Sequence, residues 1–415
     1  MTTTAAEQAA EGQRPEGVAG AVHAYVDKLR GGDLGSLPAV LGLTALVILF
    51  GALKGDRFLS SFNFANLVGQ AAMIVVIAMG LIFVLLLGEI DLAAGVTAGM
   101  CAAVLGVTMT EHGWPMPAAL AACLLTGVVV GLGQGILVAN FGIPSFVVTL
   151  ATFLAFQGVL LLIIGDGGTI GIRDETILAI QNDNLPVWAG WALAAVVAGG
   201  YALLTFIRRR GRAAAGLATE ALTVWLAKTG FLVAVIALVT FFLTEERSRR
   251  PEITSIKGIP YVLPLILILF VGLTFLLTRT SFGRHVYAVG GNMEAARRAG
   301  INVARIRIIC FVACSTLAAV AGILFASRDN SISPSTGGST TLLLAVGAAV
   351  IGGTSLFGGK GRIIDAIIGG LVVGVIQNGL PLVTEEAGIQ YAVTGGVLLI
   401  AASVDALSRK RSVAR

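Results

Sequence analysis

The sequence predicts an all-α polytopic membrane protein with roughly 12 transmembrane helices, about ten forming a core and two an added hairpin. Three observations predict it. Of 415 residues, 56% are hydrophobic and only 12% are charged, about half the charged share of a soluble domain. Apolar runs approaching the roughly 20 residues needed to cross a bilayer recur along the chain. Glycine numbers 54, well above the ordinary roughly 7%, which suits helices packed closely in lipid. The same figures exclude a soluble enzyme. The net charge of +5 would suggest nucleic acid for a soluble chain. Here it reflects arginine retained on one side of a membrane, and no nucleic-acid partner is expected.

Residues 1–36 read as a polar tail without the short apolar stretch and cleavage site of a signal peptide. Ala19–Leu29 fits either a short amphipathic helix on the membrane surface or a flexible tail. The transmembrane domain occupies 37–407. Its apolar segments are Leu37–Leu53, Leu67–Leu87, Leu92–Met109, Met116–Ala139, Ser145–Ile164, Val187–Ile207, Ala221–Leu243, Tyr261–Leu277, Ile306–Ala326, Leu342–Ile351, Ile363–Leu380 and Ile389–Ala406. Leu342–Ile351 is too short for a straight span and reads as a half-helix or re-entrant piece.

Lys and Arg set the orientation. With the N-terminus (Lys28, Arg30) in the cytoplasm, the basic stretches Arg208–Arg212, Arg279–Arg307, Lys360–Arg362 and the tail at 408–415 also fall inside. Glu245–Lys257 is the exception, since it places Arg247, Arg249, Arg250 and Lys257 outside. The spans within 187–243 lie between two polar outer segments and are joined by a featureless Ala/Gly/Arg-rich loop. They read as a peripheral hairpin, with integration into the core as the alternative. Cys101, Cys123, Cys310 and Cys314 all fall inside apolar segments without metal-ligand or redox spacing and read as small packing residues; no metal site is expected.

The segment Arg279–Arg307 stands apart, with six arginines against one carboxylate, Glu294. Within it Asn292 suits an N-cap, and Glu294 falls in the first turn, where the helix dipole favours an anion. Arg297 and Arg298 follow at three and four residues, within reach of Glu294. Gly300 supplies a left-handed stop across which Ile301 can pack. Ala295, Ala296 and Ala299 leave a face without bulk that another protein could approach. The bland reading is a solvated basic turn that only fixes topology.

Three further motifs carry polar groups at span edges. In Gly88-Glu-Ile-Asp-Leu-Ala-Ala-Gly95, Asp91 is placed to cap the next helix, with direct contact to a solute as the sharper reading. After Pro144, Ser145, Thr149 and Thr152 fall near one helix face; their hydroxyls can bond a solute, a neighbouring helix or their own backbone. The segment Ala349–Arg362 is glycine-rich but fails the phosphate-loop spacing, because Gly361 follows Lys360 where Ser or Thr is required. Its glycines suit a broken helix and tight backbone approach. Gly88–Gly95 and Gly352–Gly359 share Gly, Leu and Gly at equal offsets, a faint hint of an internal repeat. Finally, Gln377 and Asn378 place two amides inside a span, able to bond a solute or to knit helices.

The run from Gly283 to Val303, GRHVYAVGGNMEAARRAGINV, resembles the coupling loop of permeases of bacterial ABC importers for ribose, xylose and related sugars, whose pattern is G-R-x-x-Y-A-x-G-G-N-x-x-A-A-x-x-A-G-I-N-V. The segments at Gly88–Gly95, Ile143–Thr152 and Ala349–Arg362 are similar to others of that family, with Glu89 where Gly is commoner and Ala93 where Ser is usual. The resemblance covers most of the chain from about residue 58 to 407. It implies a type II importer permease in the bacterial inner membrane, with both termini cytoplasmic, the coupling loop at 279–305, and no enzymatic activity of its own. It also implies a second copy of this chain as partner, a cytoplasmic ATPase holding ATP and magnesium, an extracytoplasmic sugar-binding protein, and surrounding lipid. Arg284, Asn292, Glu294, Ala295, Ala296, Arg297 and Gly300 would meet the ATPase. Asp91, Thr149, Thr152, Gln377 and Asn378 would line the solute path. Glu89 and the added hairpin tilt the solute toward a pentose such as xylose, moved by alternating access. The rivals are a permease of the same broad class for branched-chain amino acids or nucleosides, and an ion-coupled secondary transporter. An integral-membrane enzyme is disfavoured, because His23, His112 and His285 lie scattered.

Overall fold

A computed structural model describes residues 36–165, 168–217, 219, 221–248 and 250–413. The N-terminal tail with its amphipathic segment, Lys28 and Arg30, the loop residues Glu220 and Arg249, and residues 414–415 lie outside the described residues. The chain divides into two compact units. Among the described residues, the larger comprises 36–184 and Pro260–Asp405, and the smaller holds Leu185–Ile259 and the last turns of the C-terminal helix.

The larger unit begins with α1 (Leu37–Phe58), α2 (Ser61–Leu86), α3 (Ala94–Gly106), α4 (Met116–Ala139), α5 (Ser145–Ile164) and the short α6 (Glu175–Asn182). The smaller unit contributes α7 (Val187–Ala214) and α8 (Leu222–Thr244). The larger unit resumes with α9 (Val262–Arg279), α10 (Ser281–Gly291), α11 (Met293–Arg298), α12 (Val303–Asp329), α13 (Ser339–Gly352), α14 (Ile363–Val383) and α15 (Ala387–Val413). Ten helices among the described residues are long and apolar enough to cross a membrane, and Ser339–Gly352 and Ala387–Leu399 are shorter apolar helices. The chain is therefore a polytopic all-α membrane protein. The 14 residues of α13 rise only about 21 Å, short of the roughly 30 Å of a bilayer core.

The larger unit is organised around α2, whose most apolar 18-residue window is 94% buried. It packs against α12, α13 and α14, and α12 packs in turn against α3 and α4. By contrast α1 and α9 bury only 11% of such a window, so their apolar sides are available to lipid. Glycine explains how closely α4 and α12 meet. Gly127, Gly131 and Gly135 recur every four residues on α4, and a Cβ at these positions would lie 2.7 Å from Ser315 O, 2.5 Å from Val312 Cα and 2.8 Å from Ile308 Cα. A small residue every fourth position lets two backbones touch where no hydrophobic effect drives association.

Three elements differ from the sequence reading. α2 starts at Ser61, six residues before Leu67, capped by Ser60 accepting the Asn63 N–H at 3.2 Å. Its first turns therefore bury Asn63 among helices. α3 runs on into a π turn, Val107–Glu111, a widening common at functional sites. The segment 165–186 is folded rather than an open loop. Strand β1 (Ile170–Gly171) pairs antiparallel with β2 (Ser331–Ile332), and α6 is fastened to the end of α12 by Ser327 and Asn182.

In the smaller unit, the Trp225 indole donates to Thr205 Oγ1 at 3.0 Å and ties α8 to α7. The stretch after α8 is organised by Glu246. Its carboxylate accepts from the Ser255 hydroxyl (2.6 Å) and from the N–H groups of Ser248 and Ile256, which hold its pKa down at about 2. Lys257 pairs with the same carboxylate, and the buried Arg247 guanidinium donates to the Leu243 carbonyl at the end of α8. Two of the cations that break the orientation pattern are thus held locally.

Candidate functional site

The arginine-rich island is built from its caps upward. Thr280 Oγ1 accepts the Gly283 N–H at 3.2 Å and starts α10. Asn292 breaks the helix with extended backbone, and its Oδ1 accepts the Ala295 N–H at 2.9 Å to start α11. Glu294 lies in the first turn and faces Arg297 at 3.4 Å and Arg298 at 3.3 Å. These pairs are exposed, so each contributes little, about 0.5 kcal/mol. Gly300 ends α11 with φ +84°. The Gly300 N–H donates to Arg297 O and the Ile301 N–H to Ala296 O, the paired bonds of a Schellman stop. Asn302 then caps α12 by accepting the Arg305 N–H at 3.0 Å. In this stretch a six-residue helix, too short to persist alone, is fixed at both ends.

One face of the island is seated on the chain's own core. Val286, Val289 and Ala296 are buried, and Met293 and Ile301 pack against the same cluster. Ala296 is only 4% exposed; it sits at i, i+3 from Met293 and anchors α11 inward. The outward face presents Arg284, Glu294, Ala295, Arg297, Arg298 and Ala299, all exposed. Beside it an open cavity of about 250 Å³ is lined by Arg297, Ile301, Asn302 and Arg307. The face has little bulk and strong positive charge, and a rigid backbone holds it.

The island is wired to the core at two points. At the first, α10 meets the end of α2 and the glycine-rich loop after α13. The Tyr287 hydroxyl donates to Gly361 O at 2.7 Å, and the Gly359 N–H donates to Leu86 O at 2.9 Å. Gly88, Gly358 and Gly359 all take positive φ here, and Gly88 lies against Phe357 O. The tight backbone approach expected of Ala349–Arg362 is present, and the two glycine loops with matching offsets touch. The second point is an ion pair between Arg307, in the second turn of α12, and Glu89, in the loop after α2. Their side chains are 17% and 11% exposed.

That loop is held from behind. The Ile90 N–H donates to Ser145 Oγ at 3.3 Å, and Thr149 Oγ1 donates to Ile90 O at 3.2 Å as well as to Ser145 O. Asp91 is fully buried. It does not cap α3: Ala93 occupies that position, and Asp91 Oδ1 accepts the Ala93 N–H at 2.9 Å in a local turn, geometry that aspartate favours when two residues ahead must be held. Its Oδ2 is buried without a hydrogen-bond partner. Asp365, a second buried carboxylate, is engaged locally. It accepts the Arg362 N–H at 2.8 Å, pairs with the Arg362 guanidinium and starts α14.

The remaining pathway candidates separate. Thr152 bonds the carbonyls of Val148 and Thr149 and accepts from Gln134 Nε2 at 2.9 Å, while Ser315 donates to Gln134 Oε1. This chain joins α5, α4 and α12. Asn378 makes a reciprocal amide pair with Asn63 (2.7 and 3.0 Å) and donates to Gln70 at 3.3 Å, so it knits α14 to α2. Gln377 is half-buried beside it. Replacing Asn378 with Ala removes both bonds to Asn63, whose side-chain amide keeps only the Phe58 carbonyl, and about 1 kcal/mol of stability is expected to be lost. A thermal-denaturation series on the purified protein checks this, with unchanged solute affinity expected alongside. Sequence reasoning passed over Gln134, Asn63, Tyr287 and Arg307. A lone amide in the glycine-rich run 131–135 was the available signal for the first.

A core of closely packed apolar helices, with ten candidate spans among the described residues, is the build of a multi-pass membrane protein. A family model described as branched-chain amino acid transport system / permease component matches residues 63–402, and the chain belongs to this permease family. It is 34% identical over 373 residues to the xylose transport system permease protein XylH of Escherichia coli strain K12, covering 90% of this chain and 92% of that protein. It is 34% identical over 385 residues to XylH of Haemophilus influenzae, covering 92% and 99%. The ribose import permease protein RbsC of Escherichia coli strain K12 is 29% identical over 374 residues, covering 89% and 92%. No solved structure matches the chain.

Proposed function

We propose that this chain is the membrane subunit of an ATP-driven importer that carries a pentose, with xylose the first candidate, across the bacterial inner membrane by alternating access. The observation that carries the reading is the 34% identity to xylose permeases over nine-tenths of the chain. The capped island supports the energy source. On this reading α11 docks into a cytoplasmic ATPase, which holds the ATP and magnesium, and the termini lie in the cytoplasm. A second copy of the chain completes the path, and an extracytoplasmic binding protein selects the sugar. The printed description of the matching family gives branched-chain amino acids as the second reading.

The test is uptake of labelled xylose into vesicles that also contain the ATPase and binding protein encoded alongside. Uptake that stops with a hydrolysis-dead ATPase and is competed by xylose, not leucine, supports the proposal. Uptake that persists with the dead ATPase overturns the ATP-driven part, and competition by leucine overturns the sugar. Within this assay Glu294→Lys and Gly300→Val address the island. A Cβ at Gly300 meets nothing within 4 Å, so the valine acts through φ alone, at about 1–2 kcal/mol for a left-handed residue, more for a β-branched one. Both variants are expected at normal membrane levels with uptake reduced by roughly tenfold or more. Normal ATPase association in both variants removes the docking role.

A further inference from the structure

The smaller unit holds a cavity to which transport gives no role. Residues 208–228, spanning the turn between α7 and α8, carry Arg208, Arg209, Arg210, Arg212 and Lys228 against the single carboxylate Glu220. Full pairing with Glu220 still leaves an excess of four cations. Arg210 is turned onto the Phe206 ring, 5.8 Å from its centroid. The other four line a cavity of about 270 Å³ together with Trp225 and Thr229. Trp225 is a fixed wall, bonded to Thr205 and packed on Phe206 with ring centroids 5.6 Å apart. Thr229 is 8% exposed, and its hydroxyl is buried without a hydrogen-bond partner among the described residues. A buried hydroxyl left unsatisfied among guanidinium groups calls for an acceptor-rich ligand.

The place of the cavity along the hairpin narrows the ligand. Trp188 stands at the start of α7 and Arg208 twenty residues later, about 30 Å along a helix axis, the thickness of the hydrocarbon core. The basic turn therefore emerges at headgroup depth. Leu204 and Leu226, within one turn of Arg208 and Trp225, are 57% and 54% exposed and offer acyl chains a surface. Guanidinium forks match phosphate oxygens bidentately, and basic pockets between membrane helices suit anionic headgroups. We propose that this cavity binds the phosphate of an anionic phospholipid headgroup, with Arg208, Arg212 and Lys228 as its charges and the Thr229 hydroxyl as a donor.

The test uses the full chain, purified and exchanged into mixed micelles of phosphatidylglycerol and phosphatidylcholine with identical acyl chains, with retained lipid read by native mass spectrometry. The expected result is preferential retention of phosphatidylglycerol, reduced by roughly tenfold or more in Arg208→Gln/Arg212→Gln/Lys228→Gln and measurably in the shape-preserving Thr229→Val. Equal retention of the two lipids by the wild-type chain overturns the proposal, as does a preference that survives the triple substitution. A separate arm adds inorganic phosphate to the wild-type protein without lipid. Binding of phosphate there, with no preference between lipids, assigns the cavity to a soluble anion and overturns the lipid. The wild-type arms need no variant, so a misfolded triple variant does not blunt the test.

Discussion

Gly290→Ala is expected to abolish accumulation of the protein in the membrane, while Gly291→Ala one residue on is expected to be silent. The two glycines end the same helix and differ in what surrounds them. A Cβ at Gly290 runs into the Leu86 carbonyl oxygen and lies 2.9 Å from both the Leu86 carbonyl carbon and the Gly359 nitrogen. All three atoms are backbone, so no rotamer can yield. The methyl also wedges apart the Gly359 N–H to Leu86 O bond, and Leu86 itself is fully buried. Overpacking costs about 1–3 kcal/mol and an orphaned buried carbonyl about 1–3 more, a large fraction of a stability of about 5–15. A Cβ at Gly291 meets nothing within 4 Å. Membrane protein level and a monodisperse profile in detergent are the readouts. Equal levels for the two variants would show that this junction yields more easily than its backbone contacts imply.

The same contrast shows what the sequence could convey. Asn292, Glu294 and Gly300 were legible because a cap, a dipole charge and a left-handed stop are local, each set by the residue and its immediate neighbours. The apolar spans were legible because hydrophobic length is local as well. What escaped were features that depend on a distant partner. Asn63 reads as a polar residue before a span, yet Asn378, far along the chain, draws it into the helix core. Asp91 had the right type for a cap, but the chain turns two residues later than its side chain can serve, so it closes a local turn. Ala296 could not be told from Ala295 in a run of small residues; only the seating of α11 on Val286 and Val289 separates them. Gly290 and Gly300 look alike in sequence, although one is demanded by space and the other by φ.

The Glu89–Arg307 pair yields the second large effect, expected as a cycle of four proteins. Both side chains are mostly withdrawn from solvent, and Arg307 Nε is buried without a partner. Neutralising one member strands the other charge, which costs about 3–5 kcal/mol for a buried pair. Glu89→Gln and Arg307→Gln are therefore each expected to be strongly destabilised. The double neutral variant recovers part of the loss, and the exchange Glu89→Arg/Arg307→Glu recovers more where the geometry allows. A coupling of at least about 1 kcal/mol in thermal denaturation is the quantitative expectation. High salt should leave it nearly unchanged, since buried pairs are poorly screened. The pair also lies between the island and the loop that carries Asp91. Arg307 rides on α12 directly behind the island, and Glu89 belongs to the loop that Ser145 and Thr149 fasten to α5. If a partner pulls on α11, the ion pair carries that displacement into the loop around the buried Asp91. On the proposed ATP-driven reading, the double neutral variant is expected to fold yet move solute less per ATP consumed, a loss of coupling separate from the loss of stability. Additive singles in denaturation, or full coupling in the double neutral protein, would leave Glu89 and Arg307 as neighbours without a shared task.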